Sequence, residues 1–147
     1  MVKKIKQINW VYLAGFLDGD GSIYVRIKPN NTYRYGFQIA PSVVFFQSAK
    51  EKQKIEKLQK IYKIGYLRDR KDGITEWVIG DEKSIRLIIE NTRNFLHLKQ
   101  KQAQLMLEVL DRKKLIKTEK EFIKLAKNVD RFRELNYSKK RKKLLAP

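Results

Sequence analysis

The hydrophobic pattern of the chain changes its period at Gly21, and this change restricts the folds that the sequence can adopt. Apolar residues follow helical spacing over residues 10–18, and Asn9 is placed to cap that helix. Over residues 22–28 the period becomes two, as in a strand with one buried face. The sequence therefore predicts a helix that passes into a strand within two or three residues.

The same two patterns alternate along the rest of the chain. Further strands are predicted over residues 33–46, 66–70 and 76–79, and further helices over residues 49–63, 83–91, 98–113 and 118–135. Asp81 is placed to cap one helix, and Thr118 with Glu121 forms a capping box for the last. Pro41 has no backbone N–H, so the second strand should carry a bulge or lie partly at an edge.

No linker rich in Gly, Pro or Ser divides the chain. We therefore expect one domain over residues 1–137, of the α+β class, with an αββαββα fold, an antiparallel sheet and an additional C-terminal helix. Residues 138–147 form a basic tail that is too charged to pack.

The charge narrows the function. Lys and Arg total 34 against 16 Asp and Glu, a net charge of +18. Such an excess repels itself unless the partner is a polyanion, and nucleic acid fits best, although a ribosomal or other merely basic protein is an alternative. With no cysteine and only His97, disulfides and zinc sites are excluded. The first residues carry no long apolar run, so we expect an intracellular protein, in a prokaryotic cytoplasm or an organelle, with no membrane partner.

The polar face of the predicted sheet carries cationic, amide and aromatic side chains that can read base edges. They are Tyr24, Arg26, Lys28, Gln38, Ser42, Tyr66, Arg68, Arg70 and Glu76. Asn30, Tyr33, Ala40 and Val44 complete the contacts that we expect with double-stranded DNA. Any half-buried sheet has a polar outer face, but that alternative does not account for four cations beside long amide and aromatic groups.

The segment LAGFLDGDG at residues 13–21 resembles the signature of the LAGLIDADG homing endonucleases, and its context between a helix and a strand is the one that the family requires. Further segments in the same order look like the single-motif, homodimeric branch of that family. They are IKPN (27–30), Gln47, GYLRDR (65–70), LKQKQ (98–102) and LNYSKKRK (135–142).

Gly15 and Gly19 lie four residues apart, a spacing of small residues that lets two helix backbones approach closely. The chain has one such motif, so the matching helix must come from a second copy, and a two-fold axis would bring two Asp20 carboxylates together. The interface that we expect comprises Tyr12, Leu13, Gly15, Phe16 and Gly19. Two carboxylates at negative helix ends need a cation, and Mg²⁺ prefers such hard oxygen ligands.

The resemblance implies a site-specific, Mg²⁺-dependent endonuclease that hydrolyses both strands of a long, pseudo-palindromic DNA target and leaves short 3′ overhangs. Asp20 and the carbonyl of Gly19 would bind the metal, and Gln47 and Lys99 would order water and stabilise charge at the scissile phosphate. Mn²⁺ would substitute, and Ca²⁺ would bind without cleavage. Lys99 has an alternative role as an ordinary helix-start cation, and Asp18 is expected to be structural. Contacts from the tail would come from Lys139, Lys140 and Arg141.

The chain departs from the family pattern at Glu51, where the family has an arginine. Lys50, Lys52 or Lys54 could supply the missing charge, and the sequence does not choose among them. Two other functions stay open: an intron RNA maturase on the same scaffold, and a basic DNA-binding regulator whose acidic residues are structural.

Overall fold

The computed structural model of the protein describes residues 4–136. Its helices are α1 (Gln7–Asp20), α2 (Lys52–Tyr62), α3 (Glu82–Thr92), α4 (Gln100–Leu115), α5 (Glu119–Val129) and α6 (Arg131–Leu135). Its strands are β1 (Gly21–Pro29), β2 (Phe37–Ser48), β3 (Tyr66–Asp69) and β4 (Ile74–Ile79). The predicted tail, with Lys139, Lys140 and Arg141, and the predicted boundary at residue 137 lie outside the described residues.

The four strands form one antiparallel sheet in the order β1-β2-β4-β3, which confirms the predicted fold class. Pro41 shows how β2 accommodates a proline. It pairs with Val25 of β1, while the pairing of β2 with β4 begins only at Val43. One side of Pro41 is therefore unpaired, as on an edge strand, and the β1–β2 register runs through it without a bulge.

The core lies between one face of the sheet and the helices. Alternate strand residues such as Val25 and Val43 are fully buried on this face. The rings of Phe45 and Trp77 stack there with centroids 4.9 Å apart. Helix α1 inserts Leu13 and Leu17, both 0% exposed, into the same core. Burial of these side chains fixes the direction in which α1 approaches the sheet.

Some predicted boundaries are wrong. Helix α1 begins at Gln7 after Lys6, so Asn9 is not its cap, and the carbonyl of Asn9 instead accepts the Tyr62 hydroxyl at 2.6 Å. Strand β2 begins at Phe37, later than predicted. The residues before it form a turn in which Asn30 Oδ1 accepts the Thr32 N–H at 3.1 Å.

The predicted last helix is divided near Asp130 into α5 and α6. Two helix starts are confirmed: Asp81 accepts the Ser84 N–H at 2.9 Å, and Thr118 and Glu121 form the capping box.

Candidate active site

Asp20 is the last residue of α1, and β1 begins at the next residue. This abrupt junction depends on Gly21, where a Cβ would lie 2.8 Å from the carbonyl oxygen of Leu17. Asp20 is exposed, and within residues 4–136 its carboxylate has no hydrogen-bond or ion-pair partner. An unpaired carboxylate at the negative end of a helix is a ready ligand for a hard cation.

Asp18 joins α1 to the start of α4. Its carboxylate accepts backbone N–H groups from His97, Leu98 and Lys99 at 2.7, 3.2 and 3.1 Å. The Lys99 ammonium donates to the carbonyl oxygen of Asp18 at 2.7 Å. Asp18 therefore has the structural role that we expect from the sequence. Lys99 is bound to this residue, which lies two positions before Asp20 in the chain.

Gln47 reaches the same place from the sheet. Phe45 pairs with Gly21, so Gln47, two residues further along β2, runs past the start of β1 and lies beside the end of α1. Its Oε1 accepts the Ser48 N–H at 3.0 Å, which leaves the amide NH₂ free to donate. The β1–β2 register and the Lys99–Asp18 bonds thus direct Gln47 and Lys99 toward the α1–β1 junction that carries Asp20.

The structure distinguishes the three lysines near Glu51. Lys54 Nζ lies 2.7 Å from Glu51 Oε2, and Lys52 Nζ lies 2.7 Å from Asp69 Oδ2. The hydrogen bond and charge of Asp69 raise the pKa of Lys52, and the hydrogen bond from Lys52 lowers the pKa of Asp69. The Lys50 side chain is exposed and forms no ion pair with any residue in the described range.

The outer face of the sheet presents the predicted DNA contacts in rows. The register sets Tyr24 opposite Ser42, Arg26 opposite Ala40 and Lys28 opposite Gln38. The guanidinium of Arg26 lies 5.3 Å from the centre of the Tyr24 ring. The exposed members of the predicted set are Arg26, Lys28, Tyr33, Tyr66, Arg68 and Arg70, and the half-buried members are Tyr24, Asn30, Gln38, Ala40 and Ser42.

Two of the predicted readers do not present a free surface. Val44 is 1% exposed, so the prediction that it contacts DNA directly is wrong for this conformation. Glu76 is 5% exposed and binds Arg68 Nη2, and Arg70 Nη1 lies 3.5 Å from its other oxygen. The hydrogen bond and charge of Glu76 raise the pKa of Arg68. Glu76 therefore holds two arginines in place instead of standing free to accept from a base.

One face of α1 carries an exposed apolar stripe. Ile8, Val11 and Tyr12 are 69%, 40% and 57% exposed, and a Cβ added at Gly15 or Gly19 would meet nothing within 4 Å beyond the backbone of its own helix. Leu13 is fully buried in its own core, so its predicted place in the dimer interface is wrong.

Ile8 and Val11 are not among the interface residues that the sequence predicts. Ile8 lies at helical spacing from Tyr12 and Gly15, and that spacing could have revealed it.

Within residues 4–136 no three His, Cys, Asp or Glu side chains are grouped as metal ligands. The described helices also include none that is long and apolar enough to cross a membrane.

Comparison with known proteins gives matches to one family. The model of the family described as LAGLIDADG endonuclease matches residues 13–110. The chain is 35% identical to DNA endonuclease I-CreI of Chlamydomonas reinhardtii over 133 residues, 90% of this chain and 81% of that protein. It is 33% identical to DNA endonuclease I-CvuI of Chlorella vulgaris over 104 residues, 71% of this chain and 65% of that protein.

The fold matches as well. A crystal structure of I-CvuI with the I-CreI target, in the presence of Mg and with the DNA not cleaved, gives a TM-score of 0.86 at 30% identity. The match covers 92% of this chain and 87% of the I-CvuI chain. An archaeal intron-encoded homing endonuclease, I-Vdi141I, complexed with DNA, gives a TM-score of 0.77 at 18% identity and supports the fold alone.

Proposed function

The chain belongs to the LAGLIDADG endonuclease family, and from this premise we propose that it is a homing endonuclease that cleaves both strands of a long, pseudo-palindromic DNA target. The products would carry short 3′ overhangs. The observation that carries the proposal is the exposed, unpaired Asp20 carboxylate at the α1–β1 junction. It stands beside an exposed sheet face rich in arginine and lysine, which suits the phosphates and base edges of duplex DNA.

Asp20 and the carbonyl oxygen of Gly19 would hold a divalent cation, for which Mg²⁺ is the natural choice among hard cations. Mn²⁺ would substitute, and Ca²⁺ would bind without supporting cleavage. Both donors are oxygens, and the space beside Gly19 is open. Such a cation, when bound, supplies charge neutralisation at the phosphate and lowers the pKa of a water molecule.

The other residues act through position and charge. The Gln47 amide would donate to a water or phosphate oxygen through its free NH₂, because its Oε1 is fixed on Ser48. Lys99 keeps one direction of its ammonium on the Asp18 carbonyl and has two more protons for the scissile phosphate. The ammonium lies at the C-terminal end of α1, where the helix dipole favours a positive charge, and it forms no ion pair with a carboxylate in the described residues.

The functional unit is a homodimer in this proposal. The stripe of Ile8, Val11 and Tyr12 continues into Gly15 and Gly19, where the missing side chains allow a second α1 helix to approach. A two-fold axis along this stripe would place two copies of Asp20 near each other and extend the two sheets into one long DNA-binding surface.

The decisive test replaces Asp20 by Asn and measures cleavage of target DNA with Mg²⁺, together with the Kd for uncleaved target. We expect cleavage to fall by more than about 100-fold, with the Kd within about threefold of the parent value, because one metal ligand is lost without a change of shape. Glu90→Gln, at an exposed position on α3, removes the same charge away from the site and should cut normally. Cleavage by the Asp20 variant at the parent rate would disprove the assignment. A binding competition addresses the alternative of an intron RNA maturase. We expect the target duplex to displace bound intron RNA from the protein.

A further inference from the structure

The segment from the end of α4 to the end of α5 carries charge that the DNA-binding sheet does not use. Residues 112–127 contain seven Lys and Arg side chains and two Glu, a net charge of +5. Glu121 is already occupied, because it accepts the backbone N–H groups of Lys117 and Thr118 at 2.7 and 3.3 Å. Lys114 lies 3.4 Å from Glu82, which is the one ion pair that this segment forms within residues 4–136. Most of these cations are therefore unneutralised.

Three of the lysines form a row on α5. Lys120, Lys124 and Lys127 are all exposed and recur at helical spacing, and we call them the α5 lysine row. The opposite side of the helix buries Phe122, Leu125, Ala126 and Val129 in the core. The row therefore faces away from the core.

Helix α5 covers the inner face of the sheet beside β1. The ring of Phe122 packs on Tyr35, next to the β1–β2 turn, at 5.4 Å, and beyond α5 the Asn136 amide donates to the carbonyl of Ile23 near the start of β1. The chain thus returns along β1 on the helical layer, behind the outer face that carries Arg26 and Lys28. The α5 lysine row therefore lies on the opposite side of the molecule from the outer face of the sheet. A duplex bound on that outer face does not cover the row.

The chemistry of the segment fits a phosphate backbone. Its one aromatic residue, Phe122, is buried, so nothing exposed in it offers a stacking platform for unpaired bases. Seven residues of helix span about 10 Å, which matches about three base-pair steps along duplex DNA. Like charges at this spacing also weaken an isolated helix slightly, a cost that a bound polyanion removes.

We propose that the α5 lysine row, with Arg112, Lys113 and Lys117 beside it, is a second, sequence-independent site for duplex DNA. The enzyme then holds one segment on its sheet and another on its helical layer. Duplex DNA is the occupant that we choose because a long DNA molecule bound on the sheet keeps its own further segments at high local concentration. The inference rests on the proposed function only in taking the sheet as the cleaving face.

The test saturates the protein with unlabelled target duplex and titrates a labelled duplex of random sequence and equal length, following fluorescence anisotropy at several salt concentrations. We expect the parent protein to bind this second duplex and Lys120→Gln/Lys124→Gln to bind it at least threefold more weakly at low salt. The slope of log K against log salt should fall by about 2, since two phosphate contacts are lost. Lys57→Gln/Lys60→Gln on α2 removes the same charge and should match the parent.

Cleavage of the short target separates this proposal from the proposed function. We expect Lys120→Gln/Lys124→Gln to cut that target at the parent rate, and its thermal unfolding should match the parent because both side chains are exposed. Equal binding of the second duplex by parent and variant would overturn the proposal. A parallel loss of affinity for the first, target duplex would also overturn it, because the row would then contact the same DNA as the sheet.

Discussion

Lys99 and Asp18 are joined twice, although 81 positions separate them in the chain. The Lys99 ammonium donates to the Asp18 carbonyl at 2.7 Å, and the Lys99 backbone N–H donates to the Asp18 carboxylate at 3.1 Å. The first bond places a cation at the negative end of α1, and the second fixes the residue that carries it. The position of the ammonium beside the Asp20 junction therefore depends on the Asp18 side chain.

Replacing Asp18 by Asn should impair cleavage more than binding. An Asn side chain has one acceptor oxygen and would turn donors toward one of the three N–H groups that Asp18 now accepts. Each charge-assisted bond contributes about 1.5–3 kcal/mol, so we expect cleavage to fall by about 10- to 100-fold. Single-turnover rates and the Kd for target DNA, measured with the same protein, should show an unchanged Kd. Asp81→Asn, which alters one helix cap, is the control. A single-turnover rate of Asp18→Asn equal to that of the parent would contradict this positioning role.

Replacing Gly15 by Ala distinguishes a dimer from a monomer by the sign of its effect. In an isolated chain the added Cβ would meet nothing within 4 Å, and Ala would stabilise the helix by about 0.5–1 kcal/mol. Against a second α1 helix the same methyl group would hold the backbones apart. We therefore expect Gly15→Ala to weaken dimerisation, as measured by sedimentation equilibrium. The larger side chain of Gly15→Leu should raise the dimer dissociation constant at least tenfold. Gly80→Ala, also in open space, should leave the dimer intact, and an equal dimerisation constant for Gly15→Leu would place the interface elsewhere.

The αββαββα order was predictable because each element carries its own period, and the GDG junction was predictable because a helix meets a strand there. The contacts that individual side chains make were not predictable. Glu76 alternates onto the polar face as a base reader would, but its burial beneath Arg68 depends on the register of β3 against β4. Leu13 lies inside the signature, yet the rotation of α1 about its axis sends it into the core. Long-range register and helix rotation are tertiary properties that local patterns do not encode.

The lysines around Glu51 show the same division. Their number and sign follow from the sequence, but the pairing of Lys52 with Asp69 follows from the approach of α2 to β3. Since Lys52 and Lys54 are held by Asp69 and Glu51, we expect Lys50 to supply the charge that the family takes from an arginine. Lys50 lies in a short 3-10 turn over Ala49–Glu51, three positions after Gln47.

Lys50→Ala should therefore lower single-turnover cleavage by about tenfold, the scale of one lost phosphate contact worth about 1.4 kcal/mol. Lys54→Ala is the matched comparison, since it removes the same charge four residues further on, in the first turn of α2, and should have a smaller effect. The two rates are measured at saturating Mg²⁺ and enzyme. A larger loss for Lys54→Ala than for Lys50→Ala would assign the role to Lys54.

Glu76→Gln should alter specificity on the reading face. The Glu76 carboxylate binds Arg68 and lies 3.5 Å from Arg70, which also pairs with Asp72. Neutralising Glu76 therefore frees Arg68, leaves Arg70 with a single carboxylate partner and adds one net positive charge beside the DNA. We expect binding to random DNA to strengthen and the ratio of specific to random affinity to fall by about three- to tenfold. Asp72→Asn adds the same charge but removes only one of the two carboxylates beside Arg70 and leaves Arg68 bound to Glu76, so it should change the ratio less. An unchanged ratio in Glu76→Gln would mean that the pair does not restrain the arginines in the complex.

The Lys52–Asp69 pair should give a stability contribution with a defined pH window. The pKa of Asp69 is lowered in the fold, mainly by the hydrogen bond from Lys52; burial opposes this shift, and the hydrogen bond from Thr75 and the charge of Lys52 add to it. The pKa of Lys52 is raised, mainly by the hydrogen bond and charge of Asp69, with a weaker contribution from Glu56. A lowered acid stabilises the fold above its unfolded pKa, near 3.8, and a raised base stabilises it below its own, near 10.5.

The difference in unfolding free energy between the parent and Asp69→Asn should therefore be constant from about pH 5 to pH 9. It should shrink as the pH falls through the folded pKa of Asp69, and shrink again as the pH rises above that of Lys52. Urea unfolding at pH 3, 7 and 11 measures it, and comparison with the variant cancels the titration of other groups. Because both side chains are exposed, added salt at pH 7 should also reduce the difference. A difference at pH 3 as large as at pH 7 would show that Asp69 stabilises the junction of α2 and β3 without its charge.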